Sequence, residues 1–153
     1  MSHYLTNRGK LLVAQGAWDD DTSALIRLGL CSAASTPTTV DTQAEVDDLN
    51  FVADLLALGS VVEASFTNYA RQNLTRTPAA EDDTNNRVGL DAADVVINSA
   101  GGATNNTLWG GFIFEFITND AASPLLSVFA FATPLTTNGS NLTLTIADLY
   151  RLT

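Results

Sequence analysis

Few residues in this chain are of types that do chemistry, and their spacing matches no catalytic motif. His3 is the only histidine and Cys31 the only cysteine. A Ser-His-Asp or Cys-His mechanism would have to run through His3, which lies at a terminus expected to be mobile. A lone cysteine forms no intrachain disulfide, and zinc sites built on several histidines or cysteines are excluded by count. In ALIRLGLCS, Cys31 reads as a small buried hydrophobe. The sequence contains no G-x-x-x-x-G-K-[ST], no G-x-G-x-x-G after a strand, no G-x-S-x-G and no H-E-x-x-H. Carboxylates are plentiful: 17 Asp plus Glu stand against seven Lys plus Arg, a net charge of −10. Two of them could form a glycosidase pair, but so many acids select no particular two. The sequence therefore argues against an enzyme. For a cation, Asp82, Asp83, Asp91 and Asp94 are the candidate ligands, with Asp19, Asp20 and Asp21 behind them. No spacing among them matches a calcium loop, so neither a metal nor another cofactor is expected.

Charge and hydropathy narrow the partners. Neutralising phosphates needs clustered cations, so nucleic acid is not an expected partner. No apolar run approaches the roughly 18–20 residues of a membrane span. The opening MSHYLTNRGK lacks the apolar core of a signal peptide. An acidic surface whose only lysine is Lys10 suits a soluble particle, or salty water where repulsion is screened.

The acids lie in a stretch with strong local grammar, Glu81–Ile97 (EDDTNNRVGLDAADVVI). It reads as strand, tight turn, strand, with the acids in the turns. Upstream, LTNRGKLLVAQG predicts a short helix capped by Thr6 or Asn7 and stopped by Gly16. Ala24–Cys31 alternates as a strand, with Ile26, Leu28 and Leu30 on one face. Residues 44–58 have helical periodicity, as one helix or as two short turns broken near Asn50. Tyr69–Thr77 predicts a strand whose Arg71 and Arg76 could pair with the acidic turns. Leu108–Thr118 is the most apolar segment. Phe112, Phe114 and Phe116 fall on one face, and Trp109, Gly111, Ile113, Glu115 and Ile117 on the other. Apolar residues on both faces mean a central strand, or a face covered by a neighbouring subunit. Pro124–Thr133 continues as a strand, with Leu125, Phe129 and Phe131 sharing a face. TTNGSN signals a hairpin turn before the alternating Leu142, Leu144 and Ile146. The sum is roughly six to eight mostly antiparallel strands in one domain, 1–153. The expected class is mainly β, α+β at the margin: an antiparallel β-sandwich or barrel with one or two short helices in the N-terminal half.

LTNRGKLLVAQGAWDDDTSALIRLGL resembles the opening of a family of small structural proteins encoded by tailed bacteriophages. The resemblance continues through VDDLNFVADLLA, VVEASFTNYARQNLT, EDDTNNRVGLDAADVVI, PLLSVF and the terminal YRLT, nearly the whole chain. Its most specific pieces are Tyr69-Ala70-Arg71 and the run Asp82–Asp94. It implies a virion component, foremost a capsid decoration (cement) protein, with a head-fibre, neck or tail protein as the alternative. Its implied partners are its own copies, in a homotrimer or other closed oligomer, and the major capsid protein or other virion proteins. A remoter alternative is a glycan-binding β-sandwich in which Trp18 or Trp109 stacks a sugar. Under the virion reading the expected interface comprises Trp109, Ile113, Ile117 and Phe129, with Arg71 and Arg76. These two and Arg27 and Arg87 would sit between like-charged neighbours, and moderate salt would then leave association intact or strengthen it.

Overall fold

In the computed structural model the described residues are 2–16, 25–85, 87–146 and 150–152. Along the chain come β1 (Ser2–Leu5), α1 (Asn7–Ala14), β2 (Leu25–Ser32), α2 (Gln43–Val46), α3 (Val52–Leu56), β3 (Gln72–Asn73), β4 (Arg76–Asp82), β5 (Arg87–Ala92), β6 (Val95–Ile97), β7 (Thr107–Phe116), β8 (Leu125–Thr136), β9 (Leu142–Leu144) and β10 (Tyr150–Leu152). The fold is mainly β, with antiparallel sheets packed sandwich-fashion and short helices in the N-terminal half.

A five-stranded sheet in the order β1-β8-β7-β2-β3 is the frame. All its pairings are antiparallel, with β7 in the middle. Both faces of β7 are buried, each under its own hydrophobic core. On one face Ile26, Leu28, Ile113, Leu126 and Phe129 pack with Leu12 of α1 and with Leu90, Val95, Ile97 and Leu144. The last four belong to two smaller sheets, β10-β5-β4 and β6-β9. On the other face Cys31, Trp109, Phe112, Phe114 and Val128 pack under Val46, Leu49, Val52 and Leu55. Each large apolar side chain so buried contributes roughly 1.5–3 kcal/mol. The chain's own layers thus cover both faces of β7, and its two-sided apolar pattern needs no neighbouring subunit. That corrects the alternative of a subunit-covered face.

Two bulges move side chains off the faces that simple alternation assigns. On β7 the ladder to β2 steps from Cys31↔Gly110 to Ser32↔Leu108, leaving Trp109 unopposed. Trp109 therefore joins Phe112 and Phe114 rather than Ile113. On β8 the ladder steps from Ile113↔Ser127 to Phe114↔Leu125, skipping Leu126. Leu125 then shares a face with Val128, and Leu126 with Phe129. A strand has a side-chain period of two, so one extra residue inverts everything beyond it.

Local capping follows the expected chemistry at α1. Thr6 Oγ1 accepts the Gly9 N–H at 2.7 Å and donates to Leu125 O at 2.6 Å, so one buried hydroxyl both starts the helix and ties it to β8. The periodic stretch 44–58 forms two short helices, broken at Asn50. Three expectations are corrected. The opening residues are not free: β1 pairs with β8 from Ser2↔Ala130 to Leu5↔Ser127. β5 and β6 are not a hairpin; β5 lies between β4 and β10, while β6 pairs with β9. The Asn138-Gly139 turn joins β8 and β9, which are not paired with each other, because β9 crosses to β6.

Candidate functional site

The most concentrated group of ionic side chains surrounds Arg71. Its Nε and Nη2 donate to Glu63 Oε1 and Oε2, both at 2.7 Å, one planar fork meeting another. Its Nη1 and Nη2 donate to Asp120 Oδ1 and Oδ2, the latter at 2.9 Å. The guanidinium lies 5.4 Å from the Phe112 ring centroid and 5.1 Å from that of Phe114, so the cation caps the aromatic floor of one core. Tyr69 completes the group. Its hydroxyl donates to Glu63 Oε1 at 2.7 Å and accepts the Leu30 N–H at 3.0 Å.

The elements explain this placement. The segment after α3 runs along the free side of β2: Ser32 donates to Val62 O, Ala64 to Leu30 O and Leu74 to Ile26 O. That course lays Glu63, Tyr69 and Arg71 against β2. Asp120 comes from the turn between β7 and β8, which is fixed by Ala53 N–H donating to Asp120 O at 3.1 Å. The Arg71 side chain is 20% exposed, Glu63 24% and Asp120 36%, so the network is partly withdrawn from water.

Electrostatics fit a clamp. The guanidinium holds the Asp120 carboxyl below the ordinary aspartate range. Hydrogen bonds donated to both carboxylates push Arg71 further up. Burial, and then the Glu63 charge, drive the Tyr69 phenol up. All four carboxylate oxygens accept from Arg71, and the phenol proton is bound to Glu63. In such a group every carboxylate oxygen already accepts a hydrogen bond from the one guanidinium. Its chemistry is structural: it fastens the 61–71 segment to the sheet and to the β7–β8 turn.

Several other chemically capable side chains among the described residues are also engaged. Cys31 is fully buried, and desolvation followed by the nearby Glu63 charge raises its thiol well above the usual range. His3 Nε2 shares a hydrogen bond with Ser127 Oγ at 2.8 Å. Of the candidate cation ligands, Asp82 accepts from Arg87 at 2.8 Å and from Asn85. Asp91 accepts from the Ala92 N–H, and Asp94 from the Ile146 N–H at 2.9 Å. Asp83 is exposed. These acids face different partners, and among the described residues no three His, Cys, Asp or Glu side chains gather as metal ligands. Trp18 and Asp19–Asp21 lie outside the described residues.

The residues expected at an interface divide. Trp109, Ile113 and Phe129 are at most 4% exposed, so in a folded copy they are core and cannot meet a partner or, for Trp109, a sugar. The Trp109 indole N–H is buried without an acceptor, as is Arg8 Nε; a group left so typically costs about 1–3 kcal/mol. Ile117 is half exposed and open to contact. Arg71 is spent on Glu63 and Asp120 instead of the acidic turns, and Arg87 on Asp82. Arg76 lies on β4 opposite Ala92. Arg27 stacks on the Phe116 ring at 3.9 Å and donates to Asn73 Oδ1. Glu63 and Asp120 carry no local spacing signal toward Arg71, at eight and 49 residues' separation, so the sequence marks the cation but not its partners.

Neither a protein-family model, nor a curated protein, nor a solved structure matches this chain.

Proposed function

We propose that the chain is a structural component of a tailed-bacteriophage particle, a decoration (cement) protein bound to the outer capsid as a closed homo-oligomer. The observation that carries this reading is the fate of the side chains that could do chemistry. Cys31 is sealed in the core, His3 is tied to Ser127, and Glu63, Tyr69, Arg71 and Asp120 bind one another. Polar groups spent this way specify a rigid body rather than a reaction site. The resemblance of the whole chain, from the Leu5–Leu30 opening to the terminal YRLT, supports the same reading, with the major capsid protein as partner. A cement role also suits a fold whose short outer strands are tied in, β1 onto β8 and β10 onto β5. The test is the protein composition of purified particles of the phage whose genome encodes the chain. Mass spectrometry should find it in many copies per particle; a particle that lacks it rules the reading out.

A further inference from the structure

The 24 acidic and basic residues are unevenly placed. Residues 28–40, 64–70, 95–114 and 121–146 contain none. The fold brings the ends of these four segments together. The ladders Ser32↔Leu108, Leu108↔Leu135 and Thr107↔Thr136 set the end of β2, the start of β7 and the end of β8 at one end of the five-stranded sheet. The loops there are bound to one another: Ala33 N–H to Thr107 O at 3.0 Å, Ser65 N–H to Asn106 Oδ1 at 2.7 Å, Thr67 N–H to Thr104 O at 3.0 Å, and Gly139 N–H to Ala100 O at 2.8 Å. The surface so made is a rigid neutral platform of Asn, Ser, Thr and Gly. Leu135, opposite Leu108, adds exposed apolar area there. The opposite end of the sheet holds Asp47, Glu115 and Asp120 beside α1, β7 and the β7–β8 turn.

We propose that this charge-free end is the face through which copies of the chain associate, an inference that rests on reading the protein as an oligomeric particle component. The argument is electrostatic. A body of charge −10 repels its own copies, and like charges brought together at an interface strongly oppose binding. The platform is a face where two copies meet without that opposition, and its loops are already ordered, which lowers the entropy lost on docking. Arg71 and Arg87 are committed within the chain, so contact through neutral surface replaces the arginine-bridged contact expected from sequence. Salt screens the repulsion between the acidic bodies and leaves the neutral contact intact, so association strengthens as salt rises.

The test places charge on the platform. Thr104 and Asn138 are exposed, and Asn138→Asp keeps the oxygen that accepts the Ser140 N–H. Thr104→Asp/Asn138→Asp is compared with wild type and with Gln15→Glu/Ala44→Glu, which adds the same charge at exposed positions elsewhere. Sedimentation velocity across protein concentration, at low salt and at about 0.5 M salt, reads the assembly. Wild type and the control pair should form the same oligomer. The platform pair should dissociate with a constant at least about tenfold higher. Circular dichroism melts check folding, and Thr104→Asp alone replaces the pair if the pair fails to fold. A monomeric wild type at every concentration overturns the inference, and so does a folded platform variant that assembles as tightly as wild type. Those results concern the face alone. Absence from purified particles would overturn the particle reading instead, whatever sedimentation shows.

Discussion

Replacing Arg71 by methionine should be among the most damaging single changes at a position that is not fully buried. Methionine keeps the unbranched stem over Phe112 and Phe114 and removes the charge. Glu63 and Asp120 would then lose four charge-assisted hydrogen bonds and be left facing each other, at 24% and 36% exposure. Breaking a buried pair by removing one partner costs about 3–5 kcal/mol. Water reaches these carboxylates in part, so roughly 2–4 kcal/mol is expected here. For a domain of this length that lowers the melting temperature by roughly 5–15 °C. Arg71→Lys should recover less than half of the loss, because one ammonium cannot fork to two carboxylates. The pH dependence has a defined sign. The folded-state value of Asp120 is depressed below its ordinary 3.8, first through the hydrogen bond from Arg71. Its contribution is therefore complete above that ordinary value and is lost as pH falls through the lower folded value. Asp120→Asn should flatten the acid limb of the stability curve. Urea unfolding of wild type, both single variants and the double variant closes the cycle. A loss below about 0.5 kcal/mol for Arg71→Met, or a coupling with Asp120→Asn near zero, would show that the clamp is decorative.

Other expectations follow from packing. Gly9→Ala would normally strengthen a helix by about 1 kcal/mol. Here the added methyl would stand 2.1 Å from Leu126 O, so urea unfolding should show a loss of roughly 1–3 kcal/mol; a gain would mean that α1 does not press on β8. Ile113→Asp should abolish folding rather than split an oligomer, since its fully buried site offers a carboxylate no partner; the cost exceeds about 4 kcal/mol. A folded Ile113→Asp monomer seen by circular dichroism and light scattering would contradict that. Cys31, sealed and with its thiol raised by burial, should react with a thiol reagent only as fast as the chain opens. Labelling of the native protein at the rate of a free thiol would place Cys31 at the surface.

Much of the fold was legible because local chemistry set it. The alternation of Ile26, Leu28 and Leu30 marked β2, Thr6 was one of two candidate caps for α1, and a break near Asn50 was one of two readings of the stretch that forms α2 and α3. Face assignment failed at two places, Trp109 and the Leu125-Leu126 pair, both at bulges. Periodicity carries no mark for an inserted residue, although the Gly110-Gly111 pair beside Trp109 hinted at one. Strand partners were lost where the nearest strand in sequence was not the partner: β6 pairs with β9, Ile97 with Leu142 across the whole of β7 and β8. β1 was hidden because four residues at a chain end carry too short a pattern. The Arg71 clamp was half legible. The cation stood out in a chain with few basic residues, but its partners are chosen by the path of the 61–71 segment and by the β7–β8 turn, which only the tertiary fold defines.

The most direct test of the particle reading is a reconstruction of the intact phage at a resolution that resolves strands. The account predicts density on the outside of the capsid that fits the five-stranded sheet with α2 and α3 on one face, repeated at symmetry-related positions, with the charge-free ends of neighbouring copies in contact. A complete reconstruction whose capsid surface, neck and tail are all accounted for by other chains would contradict it.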